Sequence, residues 1–189
     1  MTQPVDPSND DVTAPAPARA ARLLTAVRLV ATAPDAATVH AVAASAARAV
    51  TGADGATLVL RDGGHCRYVD EDAISPLWKG RRFAASDCVS GWVMARHRPA
   101  RIPDVLADDR VPRDAYRPTF VRSMLMVPMG WPECRGAIGA YWATLDGPTG
   151  ADLRLVSAIA DVAGLALDVI EARGSGGGDP WPGARHGQR

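Results

Sequence analysis

Cys88 is the side chain in this sequence best placed to react. It immediately precedes a short apolar helix expected over Val89–Ala95, and amides at a helix N-terminus favour a thiolate, so oxidant sensing is conceivable there. The plainer reading is a buried thiol. Cys66 falls on the same strand face as Tyr68 and reads as a small buried hydrophobe, while Cys134 lies far along the chain. Three widely spaced cysteines, an odd number, fit reduced thiols better than a disulfide framework. His97 among Arg96, Arg98 and Arg101 makes a poor metal or haem site, and His40 has no second ligand-type residue at helical spacing. Lys79, Arg81 and Arg82 cluster enough to contact an anion, although solvated side chains account for them as well. The sequence shows no Ser-His-Asp pattern, HExxH pair, phosphate-binding glycine loop or paired catalytic carboxylates. What remains is binding.

The elements that must position these groups centre on Phe83–Met129. The stretch opens with the short helix, crosses a long Pro-, Asp- and Arg-rich segment, and returns as the apolar strand Ser123–Met129. A polar segment of that length inside a compact domain is commonly functional. Here Pro99, Pro103, Pro112 and Pro118 restrict it, and Trp92, Tyr116 and Phe120 can anchor it. Upstream, helices are expected over Ala18–Ala33 and from Asp35, an N-cap, to Val50, with Gly52 as the stop. The period then changes: Ala56–Asp62 and His65–Asp70 read as a hairpin around Gly63-Gly64. Pro76 bars a regular helix after it, and Trp78 is expected to cover the core edge. Pro128 should mark the end of hydrogen bonding in its strand. Gly136, Gly139 and Ala140 in the next strand, within 135–144, suggest that a backbone or bound molecule comes near. A final helix, capped by Thr149 or Asp152, is expected over 151–173, with an apolar stripe wide enough for dimer contacts. The order predicts an α+β fold: an antiparallel sheet with the terminal helices on one face and the loop layer on the other.

Composition bounds the function. Twenty-one basic and 21 acidic residues give a formal net charge of zero, which supplies no electrostatic reason to expect nucleic acid or an anionic membrane as partner. The N-terminus lacks a secretory pattern, and no apolar run is long enough to span a bilayer, so a cytoplasmic protein is expected. Residues 1–17 and 174–189 are poor in large apolar groups and are expected to be disordered tails around one domain, 18–173.

From about Leu23 to Ala172 the chain resembles the GAF domain family, on the strength of VTGADGATLVL, DCVSGWVMARHRPARIPD, the Asp-Arg of DDR, YRPTFVRSMLMVPM and RGAIGAYWA. It is especially similar to GAF domains ahead of sensor histidine kinases. The resemblance implies a six-stranded antiparallel sheet, a pocket between that sheet and the loops after the short helix, and dimerisation through terminal helices. No kinase segment fits in the 16 residues after Arg173, so a stand-alone sensory or regulatory module is expected, signalling to a histidine kinase or other partner in trans. In such a pocket Cys88, Trp92, Asp104, Tyr116, Arg117, Ser123 and Tyr141 are the expected ligand contacts. Trp92 and Tyr141 would form aromatic wall, Asp104 and Ser123 polar contacts, and Tyr116 with Arg117 a lid able to hold a carboxylate, phosphate or purine edge. No cofactor or metal is implied: covalent bilin attachment in this fold favours a Cys-His pair, which the sequence lacks. A free methionine sulfoxide reductase needs clustered cysteines, and the spacing of these three argues against one, so no catalytic activity is expected. A ligand-free dimerisation scaffold is the other alternative.

Overall fold

Asp35 starts its helix as expected, its carboxylate accepting the Thr38 amide at 2.8 Å, and Gly52 ends it in a left-handed conformation at φ 69° that costs glycine little. In the computed structural model, which describes residues 16–175, this helix is α2 (Ala36–Thr51), preceded by α1 (Ala16–Ala31). Six strands follow: β1 (Gly55–Asp62), β2 (His65–Ala73), β3 (Arg82–Ala84), β4 (Ala100–Ile102), β5 (Ser123–Met129) and β6 (Gly136–Trp142). Between β3 and β4 lie a 3-10 turn, Ala85–Asp87, and α3 (Val89–Arg96); α4 (Arg113–Tyr116) precedes β5, and α5 (Gly150–Ser175) closes the domain. Pro17 sits in the first turn of α1, where proline is tolerated, and Gly174 in the last turn of α5, so the folded domain is slightly longer than 18–173. The rest of the expected tails lies outside the described residues.

The strands form one antiparallel sheet in the order β3-β2-β1-β6-β5-β4. The fold is α+β. Two edge strands, β3 and β4, were not legible as strands, because three residues are too few to display a period. Pairing of β5 with β6 also runs past Pro128 to Met129 opposite Gly136, one position beyond the expected stop.

Side chains alternate between two apolar layers. On one face Ala56, Leu58, Leu125, Val127, Ile138 and Ala140 pack beneath α1, α2 and α5. On the other, Val59, Met124, Met126, Ala137 and Tyr141 face the loop layer. Arg19 locks the helical side. Its guanidinium donates to the Val50 carbonyl at 2.9 Å and pairs with the buried Asp152 carboxylate. Asp152 also accepts from the Thr149 amide at 2.8 Å while the Thr149 hydroxyl receives the Asp152 amide at 3.2 Å, a reciprocal cap on α5.

Replacing one member of this buried pair strands the other. Asp152→Ala is expected to cost about 3–5 kcal/mol in urea unfolding, since it leaves Arg19 buried without its counter-charge and uncaps α5; a loss below about 1 kcal/mol would show the pair to be dispensable.

Candidate functional site

The face of the sheet turned away from the helices carries an aromatic layer. Tyr68 projects from β2 and Tyr141 from β6, and Trp78, from the connection between β2 and β3, lies against both with ring centroids 5.6 Å apart in each case. Tyr116 of α4 closes the layer 4.8 Å from Trp78, and Phe83 meets Tyr68 edge-on at 5.6 Å. Glycine shapes the floor. A side chain at Gly139 would collide with the Tyr141 hydroxyl, so its absence lets that ring lie back along the strand and bond Thr57 Oγ1 at 2.8 Å. The small residue expected to admit a ligand or backbone therefore admits the chain's own tyrosine. Burial pushes the Tyr68, Tyr116 and Tyr141 hydroxyls above their usual range, so all three are neutral donors and acceptors.

Trp78 is seated by a carboxylate together with backbone bonds, the Arg81 amide donating to its carbonyl and the Gly80 amide to the Tyr68 carbonyl, each at 2.8 Å. Glu71 accepts the backbone amides of Leu77 at 3.1 Å and of Trp78 and Lys79 at 2.8 Å each, folding the connection back over the sheet. The Lys79 ammonium adds an exposed bond to Asp70 at 2.6 Å. With the ring seated, the cavity bordered by Tyr68, Trp78, Phe83, Cys88 and Tyr116 is only about 20 Å³, room for one water.

One thiol, Cys88, lines this cavity, and a second, Cys66, belongs to the same apolar layer. Cys88 is the N-cap residue of α3, and Cys66 on β2 pairs with Phe83 on β3, which brings the two sulfurs into one buried cluster. The Ser90 hydroxyl donates to Cys88 Sγ at 3.2 Å and lies 3.3 Å from the Tyr68 hydroxyl. When protonated, Cys88 Sγ donates to the Ala84 carbonyl at 3.5 Å. Cys88 is held below the usual thiol range, first by the neighbouring Cys66 thiol and then by Ser90 and the Gly91 amide, against burial and the Asp87 charge, which raise it. Cys66 is pushed up, above all by Cys88 and by burial. Cys134 is elsewhere, its Sγ donating to the Gly136 carbonyl at 3.2 Å.

Of the seven expected ligand contacts, Cys88, Tyr116 and Tyr141 meet in or beneath the aromatic layer. Trp92 instead holds the long loop, its ring covered by the Arg110 guanidinium at 4.7 Å while Arg110 bonds Asp108. Asp104 accepts the Leu106 amide at 2.8 Å and serves as a turn residue. Ser123 fastens the start of β5 to the chain after β6, donating to the Thr144 carbonyl at 2.8 Å and accepting the Gly147 amide at 3.1 Å. Arg117 is exposed, 3.8 Å from Asp114, and does not line the cavity. Tyr68, Trp78 and Phe83 of the cavity, and Cys66 in the layer beside it, are not among those seven, although the shared parity of Cys66 and Tyr68 on one strand is a usable signal. A wider hollow of about 1040 Å³ opens at the other end of the sheet, along Arg61, Arg67, His97 and Arg135. There Arg135 is engaged by Asp168 and Glu171, and Arg61 by the Met94 carbonyl at 3.3 Å.

The GAF domain family model matches residues 33–168, and the chain belongs to that family. Solved structures agree in fold. The GAF domain of an Acinetobacter phosphoenolpyruvate-protein phosphotransferase superposes with a TM-score of 0.72 at 12% identity, covering 84% of this chain and 98% of that one. A free methionine-R-sulfoxide reductase from Neisseria meningitidis, in complex with its substrate, gives 0.74 at 17% identity over 87% and 97%. The chromophore-binding domain of an R. palustris bacteriophytochrome gives 0.75 at 16% identity over 87% and 64%. No curated protein matches the sequence. GAF domains form a family of sensory and ligand-binding modules, and among the described residues no helix is long and apolar enough to cross a membrane.

The environment of Cys88 sets a pH dependence. Because its proton leaves below the ordinary thiol value, iodoacetamide labelling of Cys88 in the folded protein should rise at lower pH than that of a free cysteine. Ser90→Ala removes a donor to the thiolate and should move the midpoint up, whereas Asp87→Asn removes a repelling charge and should move it down. Labelling followed by peptide mass spectrometry reads both, and shifts of the same sign in the two variants would contradict this account.

Proposed function

We propose that the chain is a regulatory GAF module that takes a small planar ligand between the sheet and the 104–120 segment and performs no chemistry on a substrate. The observation that carries this reading is the aromatic layer of Tyr68, Trp78, Tyr116 and Tyr141, which offers flat apolar faces with hydroxyls at their rims. A cavity of about 20 Å³ holds no such ligand, so entry requires a side chain to leave. Trp78 is the one to yield, because it rides on a connection rather than a strand, fastened by the Glu71 carboxylate and a few backbone bonds. Exchange of Trp78 for ligand biases a pre-existing equilibrium rather than creating a new state. The strands beneath are shared with α1, α2 and α5, which gives the change a route to those helices and, through a homodimer, to a histidine kinase or other regulator in trans. Leu24 and Leu29 on α1 and Leu165 and Val169 on α5 are exposed apolar groups that suit such a dimer. Balanced charge supports a protein partner over nucleic acid or membrane.

The filled cavity also favours a second reading, a dimerisation scaffold that binds nothing small. Thermal shift across nucleotides, amino acids, oxoacids and tetrapyrroles separates the two. For the sensor, at least one compound raises the melting temperature of the wild type, and Glu71→Gln lowers the unliganded melting temperature while tightening binding, because the competent state becomes more populated. No shift in either protein, with a dimer seen by native mass spectrometry, would establish the scaffold. Free methionine sulfoxide turnover that is lost in Cys88→Ser would replace both with an enzyme.

A further inference from the structure

We infer that Cys66 and Cys88 are a peroxide-responsive dithiol that closes to an intrachain disulfide at the edge of the aromatic layer. The two residues come from different elements, β2 and the N-terminus of α3: Cys66 lies opposite Phe83, whose neighbour Ala84 offers its carbonyl to Cys88 Sγ at 3.5 Å, and Ser90 links Cys88 Sγ at 3.2 Å to the hydroxyl of Tyr68, which shares a strand face with Cys66. Their division of labour is legible in their surroundings. Cys88 borders the small cavity, whose lining includes Asp87, Pro112 and Ala115 at the protein surface, and its sulfur is the one that carries negative charge more readily. Cys66 is wholly buried behind it and keeps its proton, the arrangement of an attacking thiolate with a resolving thiol beside it.

The chemistry balances. Cys88 thiolate attacks one oxygen of hydrogen peroxide, the O–O bond breaks, and Cys88 sulfenic acid forms as hydroxide leaves and takes a proton to become water. Cys66 then loses its proton as its sulfur attacks Cys88 Sγ, the S–O bond breaks, and a second water departs. The sum is two thiols and one peroxide giving one disulfide and two waters. Closure ties β2 covalently to the start of α3 and takes from Ser90 the sulfur it donates to, next to the tyrosine that supports Trp78. This inference goes beyond ligand binding and needs no ligand.

The reduced full chain is treated with hydrogen peroxide, denatured, alkylated with iodoacetamide and digested with trypsin, which puts each cysteine on its own peptide: 62–67 for Cys66, 83–96 for Cys88 and 123–135 for Cys134. The expected result is that peptides 62–67 and 83–96 become joined, that dithiothreitol separates them, that the chain runs as a monomer on a non-reducing denaturing gel, and that Cys134 is alkylated throughout. In Cys66→Ser, Cys88 should trap dimedone as a sulfenic acid. Should that variant fail to fold, the wild-type map alone decides. Cys88 carried to sulfinic acid while Cys66 is alkylated, a link to Cys134, a link between chains, or three thiols unchanged would each overturn the inference. A joined pair in a protein that binds nothing would leave it standing and remove only the ligand reading.

Discussion

Three central strands with apolar side chains on both faces leave this sheet no side to turn to water. In β5 and β6 nearly every position is buried, as are the first five of β1, and even Thr57 and Ser123 are fully covered. Burying one face alone would expose a row of methionines and a tyrosine, at a cost of about 1.5–3 kcal/mol for each large side chain left uncovered. The sheet must therefore be covered twice, and the chain covers it with different materials. Ala-rich helices pack closely on one side, where Gly164 lets α5 come against the backbone at Gly130. Connections, one short helix and aromatic rings cover the other.

That second cover explains why the site looks as it does. Loops carry more polar backbone than helices, and each amide taken out of water needs a partner. Glu71, Asp104 and Asp108 supply them, each accepting amides of the residues that follow in the chain. Large rings then fill the space that such loops span poorly. A cover made of separate pieces, each held by a few polar contacts, opens at lower free energy than a helix packed along its whole length. The face best suited to exchange its filling for something else is thus the face built from connections, whatever enters it.

How far the sequence made this legible follows from the same physics. The helices α1, α2 and α5 and the hairpin were readable because each carries a long period and a definite stop, Asp35 and Gly52 for α2 and Gly63 for the turn. The strand Ser123–Met129 is legible from its apolar run, although its pairing continues one position past Pro128. β3 and β4 were not, since an edge strand of three residues is defined by its partner and not by its own pattern. Asp104 as a polar contact and Trp92 as aromatic wall are expected to face a ligand, yet both serve the loop itself, because an ordered loop consumes its own partners before any are left for a guest. Arg117 is fastened at its backbone, its amide donating to the Arg113 carbonyl at 2.9 Å, while its exposed side chain reaches only Asp114.

The cysteines show the limit most clearly. Spacing along the chain separates Cys66 from Cys88 by more than twenty residues and made both look solitary, but spacing is the wrong coordinate in an antiparallel sheet. The register of β2 against β3 sets Cys66 opposite Phe83, and the 3-10 turn that follows β3 reverses the chain within a few residues, delivering Cys88 back toward the sheet. Gly91 permits that return, because a side chain there would strike the Ala85 carbonyl and force α3 away from the turn. A glycine with no chemistry of its own thus bears on whether two thiols meet, since any side chain at position 91 pushes α3, and Cys88 at its start, away from the turn.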